Sequence, residues 1–278
     1  MFNIIWLCDK DNSWERDWIE FLFDRIPHTT TTDYNFEKPL KNRIVVFNCT
    51  VKIEEYLEKF GYDVGLIHLS DEYYNDSRSF YPKVKFVLRN YFIEESKNVI
   101  TIPLGWNLTY PYDTIPKTVF EKKYVWSFTG HVDKTTRLEM ANNMNTVPNG
   151  KPFFKKSGEV WGNFLGHACT PTEMANLYND SIFVPSPRGN FNQDTFRTTE
   201  ALQVGAIPIL EKDPYWNKLF GPNPLLQVEN WNQAPKLIKF LMNDLSQLES
   251  LRLTTYNWWI NYISNLKNNI GNFINENN

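Results

Sequence analysis

Along its N-terminal part the chain sets apolar runs of single-strand length against polar turn residues. Phe2 to Leu7, Arg43 to Phe47, Val64 to Leu69, Lys85 to Tyr91 and Asn98 to Ile102 each predict a strand. Between the first two, Trp14, Trp18, Phe21, Leu22 and Ile26 share one helical face, which predicts a helix capped by Ser13. Ile53 to Phe60 predicts a shorter helix that stops at Gly61. Strands alternating with helices predict a parallel sheet.

The proline-punctuated, polar stretch Tyr110 to Lys117 interrupts this pattern as a linker would. A second series then begins: a strand over Tyr124 to Gly130, a helix from about Thr135 to Met144, and a helix from Pro171 to Tyr178 capped by Thr170. Pro148 to Gly166 has no clear period and reads as irregular chain or short strands. Ser181 to Leu210 is the most ordered pattern. Ile182 to Pro185 predicts a buried strand, Ser186-Pro187-Arg188-Gly189-Asn190 a turn, and Asp194 or Thr195 the start of a helix that Gly205 ends. Ala206 to Leu210 returns as a strand, and Pro208 inside it predicts a short strand whose end meets a site. From Ala234 to Asn278 the spacing is helical. The resulting expectation is an α/β chain of two Rossmann-like domains, 1–115 and 116–250, with a final helix over 251–278.

Composition narrows the function classes. A chain of 278 residues can bury a substantial core in either one or two domains. Its net charge of -3 argues against a general binder of nucleic acid or anionic membrane, so any phosphate site has to be local. Aromatic residues make up 16% of the chain, and such rings serve both cores and surfaces that stack on sugars or bases. Cys8, Cys49 and Cys169 are widely spaced, which predicts reduced thiols rather than a disulfide framework or a zinc site. Met1 to Leu7 is one strand long and runs into Asp9 and Asp11, unlike a signal peptide, and no window reaches the length of a membrane span. A cytoplasmic protein is the expectation.

The Ser181 to Leu210 unit brings Arg188, Arg197 and Glu200 toward the open end of a parallel sheet, where α/β folds bind ligands. Taken alone it reads first as a βαβ scaffold with solvated charges. Its wording is more specific. Ser186-Pro187-Arg188-Gly189, then Asp194-Thr195-Phe196-Arg197-Thr198-Thr199-Glu200-Ala201-Leu202, then Gly205-Ala206-Ile207-Pro208-Ile209 resembles the C-terminal signature of exostosin-like glycosyltransferases: S-P-x-G, D-x-x-R-x-x-E-A-L and G-x-I-P-V. Ser127-Phe128-Thr129-Gly130-His131 with Arg137 is similar to the opening of that family's donor domain. His68-Leu69-Ser70-Asp71-Glu72, Arg89-Asn90-Tyr91 and Ile102-Pro103-Leu104-Gly105-Trp106 look like its acceptor domain, closest to the xylosyltransferase-like branch and its viral and bacterial relatives.

The resemblance implies a GT-B architecture, acceptor domain first and donor domain second, with a cleft between them. It implies an inverting transfer from a UDP-sugar to a glycan hydroxyl without a metal; xylose is the expected sugar and a fucose residue the expected acceptor, while the charge and the lack of a membrane-length window predict no nucleic-acid or membrane partner. Another UDP-sugar (glucuronic acid, galactose or N-acetylglucosamine) and an inactive glycan-binding protein of the same fold are the alternatives. Arg137 and Arg188 are then expected on the diphosphate, with Gly130, His131, Ser186, Asp194 and Thr195 around it, Arg197 there or structural, and Glu200 on the ribose. Asp71, and less so Glu72, is expected to take the acceptor proton.

Asp9-Lys10-Asp11 is a competing signal, because a D-x-D can hold the metal that binds a diphosphate. It precedes any nucleotide-binding half and reads as a loop before a helix. His28, His68, His131 and His167 have no i, i+4 pairing, so no metal site is expected.

Overall fold

The computed structural model describes residues 1–32, 42–94, 97–155 and 169–277. They divide into two compact units, residues 1–108 with 263–278 and residues 109–262. The first unit contains β1 (Phe2–Trp6), α1 (Arg16–Leu22), β2 (His28–Thr31), β3 (Arg43–Phe47), α2 (Ile53–Phe60), β4 (Gly65–His68), β5 (Phe86–Arg89) and β6 (Val99–Thr101). Its six strands are parallel in the order β2-β1-β3-β4-β5-β6. Every residue of β3 and β4 is buried, as continuous apolar runs in a parallel sheet require. Ile53, Tyr56 and Leu57 of α2 cover one face, packed with Val45, Phe47, Leu66 and Val87.

One expectation fails here, and one strand goes unmarked in the sequence. Ser13 does not cap α1: its hydroxyl donates to the Asp9 carbonyl at 2.6 Å, and the helix starts behind Glu15. The Asp9 carboxylate itself accepts the Asp11 and Asn12 backbone N–H groups at 3.1 and 3.3 Å, so this stretch is a side-chain-held turn. The edge strand β2 is His-Thr-Thr-Thr, half-exposed and without an apolar run to mark it.

The second unit contains β7 (Tyr124–His131), α3 (Arg137–Met144), β8 (Gly150–Lys155), α4 (Pro171–Asn179), β9 (Ser181–Pro185), α5 (Phe196–Gln203), β10 (Ile207–Glu211), α6 (Tyr215–Phe220), β11 (Leu226–Val228) and α7 (Ala234–Leu241). Its five parallel strands run β11-β10-β9-β7-β8. Trp126, Phe128, Met140, Met144, Phe183, Ile207, Ile209 and Trp231 form its core. Thr170 and Glu173 close a reciprocal capping box on α4, as the sequence predicts. Pro208 is not at an edge: β10 pairs with β9 on one side and β11 on the other. Strand β8 falls in the stretch without a period; the rest of that stretch, from 156 on, and His167 lie outside the described residues.

The last helix, α8 (Leu245–Glu276), is continuous, and its residues are divided between the units at 262 and 263. In the first unit Ile270 and Ile274 are fully buried, Phe273 meets Phe86 edge-on at 5.9 Å, and Lys267 pairs with Asp24 at 2.7 Å.

Candidate functional site

In the second sheet the strand order reverses between β7 and β9, and the carboxyl ends of strands at such a switch point are where open α/β sheets bind ligands. Most of the residues expected to bind a donor meet there. At the end of β7, Gly130 has φ of +143°, and a Cβ in its place would stand 2.8 Å from Arg197 Nη2. That nitrogen donates to the Thr129 carbonyl at 2.8 Å, and the guanidinium lies over the Phe128 ring at 4.3 Å. Arg197 is therefore not paired with Asp194; it reaches from α5 back to β7. Among the described residues its Nε and Nη1 meet no carboxylate, the buried Tyr178 hydroxyl being the polar group beside the guanidinium, although the residue is only 9% exposed.

From α3, Arg137 Nε donates to the Arg188 carbonyl at 3.3 Å and Nη1 to the His131 carbonyl at 3.4 Å, tying the loops after β7 and β9 together. Burial first, then the neighbouring Lys134 charge, holds the His131 imidazole below the usual histidine range. Arg188 forms no ion pair among the described residues, and its buried Nε has no acceptor. Ser186 is buried, its N–H continuing the ladder to the Ile209 carbonyl at 2.8 Å and its hydroxyl donating to the Val184 carbonyl. Thr195 stands at the N-cap of α5 without a side-chain capping bond, and its buried Oγ1 is unsatisfied. Asp194 and Glu200 are buried as well. Burial first, then the Glu200 charge, raises Tyr110 well above the usual phenol range, and the Tyr110 hydroxyl donates to the Glu200 carbonyl at 2.8 Å.

This arrangement suits an anion. Two guanidinium groups without a carboxylate partner among the described residues, beside the N-terminus of a helix, bind phosphate oxygens by charge and by geometry. Asp194 sits at the α5 end where a negative charge meets the positive end of the helix dipole.

In the first unit Asp71 follows β4 and is buried. Its Oδ2 accepts Arg89 Nη2 at 3.1 Å in an ion pair closed to solvent, and its Oδ1 accepts the Asp76 N–H at 3.3 Å. Two of the four lone-pair directions on the carboxylate are thereby used. Arg89 also donates Nη1 to the Tyr81 hydroxyl at 3.1 Å, and His68 links that hydroxyl at 2.6 Å to Asp76 at 2.8 Å. With Arg89 donating to Tyr81, the phenol donates to His68 Nδ1, leaving Nε2–H for Asp76. Burial, the largest effect, keeps that imidazole neutral by lowering its pKa. Glu72 is half-buried beside this network. Tyr81 and Asp76 carry no sequence signal of their own and emerge only from the fold.

His68, Asp71 and Asp76 offer ligand atoms within 4.8 Å of one another. Both ring nitrogens are already bonded and a guanidinium occupies one side of Asp71, so the cluster behaves as a hydrogen-bonded network rather than as a cation cage. Asp9 and Asp11 lie in the turn described above, with Asp11 drawn toward Arg16 at 3.6 Å.

No family model matches the chain. No curated protein matches it either. Among solved structures, an α-glucosyltransferase in complex with UDP is similar at 15% identity and TM-score 0.58, over 93% of this chain and 95% of that one. The DNA-modifying enzyme β-glucosyltransferase is similar at 12% identity and TM-score 0.57, over 99% of both chains. TarM is similar at 12% identity and TM-score 0.56 over 84% of this chain, which spans 55% of TarM's length. Together with the two parallel sheets, this likeness defines the chain as a two-domain α/β protein of the GT-B architecture. Among the described residues no helix is long and apolar enough to cross a membrane.

Proposed function

We propose that the chain is a glycosyltransferase that takes its sugar from a UDP-sugar. The observation that carries this reading is the pair of arginines, Arg188 and Arg197, held at the switch point of a GT-B donor sheet without carboxylate partners. The similar α-glucosyltransferase was solved in complex with UDP, which supports the same ligand class here. Arg188 and Arg137 hold the diphosphate, the start of α5 adds backbone N–H groups, and Glu200 accepts the ribose hydroxyls. Arg197, anchored on Phe128 and Thr129, adds its charge to the same diphosphate from beneath the loop.

In the reaction the acceptor oxygen bonds to the anomeric carbon as the bond from that carbon to the diphosphate oxygen breaks. The electron pair leaves with UDP, and the fixed cations stabilise the charge that develops. Asp71 takes the acceptor proton, with Arg89 and the Asp76 N–H fixing which lone pair faces the hydroxyl. A single displacement inverts the anomeric centre, and arginines in place of a cation make the step metal-independent. The exostosin-like signature supports xylose as the sugar and a fucose of a glycan as the acceptor.

Calorimetry with UDP tests the donor assignment. Arg188→Ala and Glu200→Ala should each weaken UDP at least about tenfold, the loss of one charged hydrogen bond. Unchanged affinity in both variants refutes the site. A protein that binds glycans yet hydrolyses no UDP-sugar is an inactive member of the fold.

A further inference from the structure

We propose that the carboxyl edge of the first sheet is a saccharide-binding site whose walls are the exposed rings of Trp14 and Tyr73. This rests on the glycosyltransferase reading and names its acceptor site. Trp14 is 47% and Tyr73 53% exposed; Trp14 stands apart from the seven tryptophans that are fully buried, and Tyr73 is one of several exposed rings. They sit on different loops, Trp14 in the β1–α1 connection and Tyr73 after β4. Strand β3 separates those strands, so the two loops start about 10 Å apart, two strand spacings.

A single bond closes that gap. The Ser70 hydroxyl donates to Glu15 Oε1 at 2.6 Å, joining the residue after Trp14 to the residue before Asp71. Ser70 is held at φ of +61°, a conformation a serine keeps only where its surroundings fix it, and its N–H reaches Asn90 at 3.4 Å. Glu15 is 2% exposed and has no cationic partner among the described residues. The carboxyl is raised by burial, with the Ser70 bond opposing the shift. A buried carboxyl without a counter-ion is a costly way to join two loops, and the result is a tied edge with Trp14 on one of the joined loops and Tyr73, two residues after Asp71, on the other.

An aromatic ring beside hydrogen-bonding groups presents an apolar face and a polar rim, which matches a sugar ring's C–H face and hydroxyls. Nucleic acid stacks on rings too, but it needs cations along the backbone. Here most cations are paired: Lys10 with Glu20 at 2.7 Å, Arg16 with Asp17 at 2.8 Å, and Arg89 with Asp71, while Arg78 lies over the Tyr74 ring at 5.8 Å. Asp9, Asp11, Glu72 and Asp76 add negative charge to the same edge. An uncharged saccharide fits; a polyanion does not.

The test uses the full chain and three probes: a printed array of uncharged oligosaccharides, a short duplex DNA read by fluorescence anisotropy, and UDP by calorimetry. The wild-type chain should bind saccharides on the array and not the duplex. Trp14→Ala and Tyr73→Ala should each lose at least tenfold of that binding while UDP affinity stays within twofold. Saccharide binding unchanged in both variants overturns the proposal, as does duplex binding that either variant abolishes. Absence of any array binding while UDP still binds also overturns it and leaves the donor reading standing; loss of UDP binding in the wild-type chain fails the donor reading instead.

Discussion

Replacing Gly130 with alanine should injure the candidate donor site through one atom. The added Cβ would meet Arg197 Nη2 at 2.8 Å, and the backbone would have to hold φ of +143° with a side chain attached. That backbone term costs about 1–3 kcal/mol. Arginine has a flexible stem, so the guanidinium could swing away, but doing so gives up the bond to Thr129 and the stack on Phe128. Those contacts contribute about 1.5–3 and about 0.5–2 kcal/mol. Because a displaced guanidinium recovers part of this in water, the expected loss is about 2–4 kcal/mol, measured by urea denaturation. Gly221→Ala supplies the control for strain alone: φ is +66° there, and nothing lies within 4 Å of the added carbon. With ψ of −155°, in a region otherwise closed to side-chain-bearing residues, it should cost about 1–3 kcal/mol. In an Arg197→Ala background the clash disappears, so Gly130→Ala should cost only its strain, a coupling of about 1–3 kcal/mol between the sites. Additivity of the two substitutions within about 0.5 kcal/mol refutes the contact as the cause. UDP affinity should fall in Gly130→Ala and not in Gly221→Ala.

Other expectations concern the chemistry and the first unit. Asp71→Asn should lower turnover by at least about a hundredfold while leaving UDP affinity near wild type, and a fully active variant removes Asp71 as the proton acceptor. Excess EDTA should leave turnover intact; its loss would return Asp9-Lys10-Asp11 to consideration as a metal-binding pair. His68 is buried and neutral, with its pKa lowered from 6.5, so the unfolded chain takes up its proton first as pH falls. The stability His68 contributes is therefore complete above pH 6.5 and declines below it, and the urea midpoint should drop between about pH 7 and about pH 5.5 in wild type but less in His68→Gln.

Much of the fold is legible in the sequence because the parallel strands are buried on both faces and so appear as unbroken apolar runs. Arg43–Phe47 and Ile53–Phe60 begin and end where the pattern places them. The elements that escape notice are those whose burial is partial: β2, made of histidine and threonines, and β8, whose Gly-Lys-Pro-Phe-Phe-Lys has no alternation. Pro208 marks a short strand, as its position predicts, but not where that strand lies in the sheet. Its missing N–H matters only where the ladder requires that donor, and β10 takes it between two neighbours. At the candidate site, motif spacing anticipates that Gly130, Arg137, Arg188 and Arg197 converge. What it does not reveal is direction: that Arg197 turns back under Gly130, or that Asp71 is bound to Arg89. Glu15 is invisible in the same way, since an acidic residue just ahead of a helix ordinarily reads as solvated and dipole-favoured.

The division of α8 has a consequence for how the protein is made. The residues from 263 onward belong to the first unit, yet they leave the ribosome after everything in the second. The first sheet can form early, but Phe86 and Asp24 wait for Phe273 and Lys267 until the whole second unit has been made. The second unit, continuous from 109 to 262, has no such wait. Domains generally fold as units in the order they emerge. Here the half that is synthesised first is the half completed last.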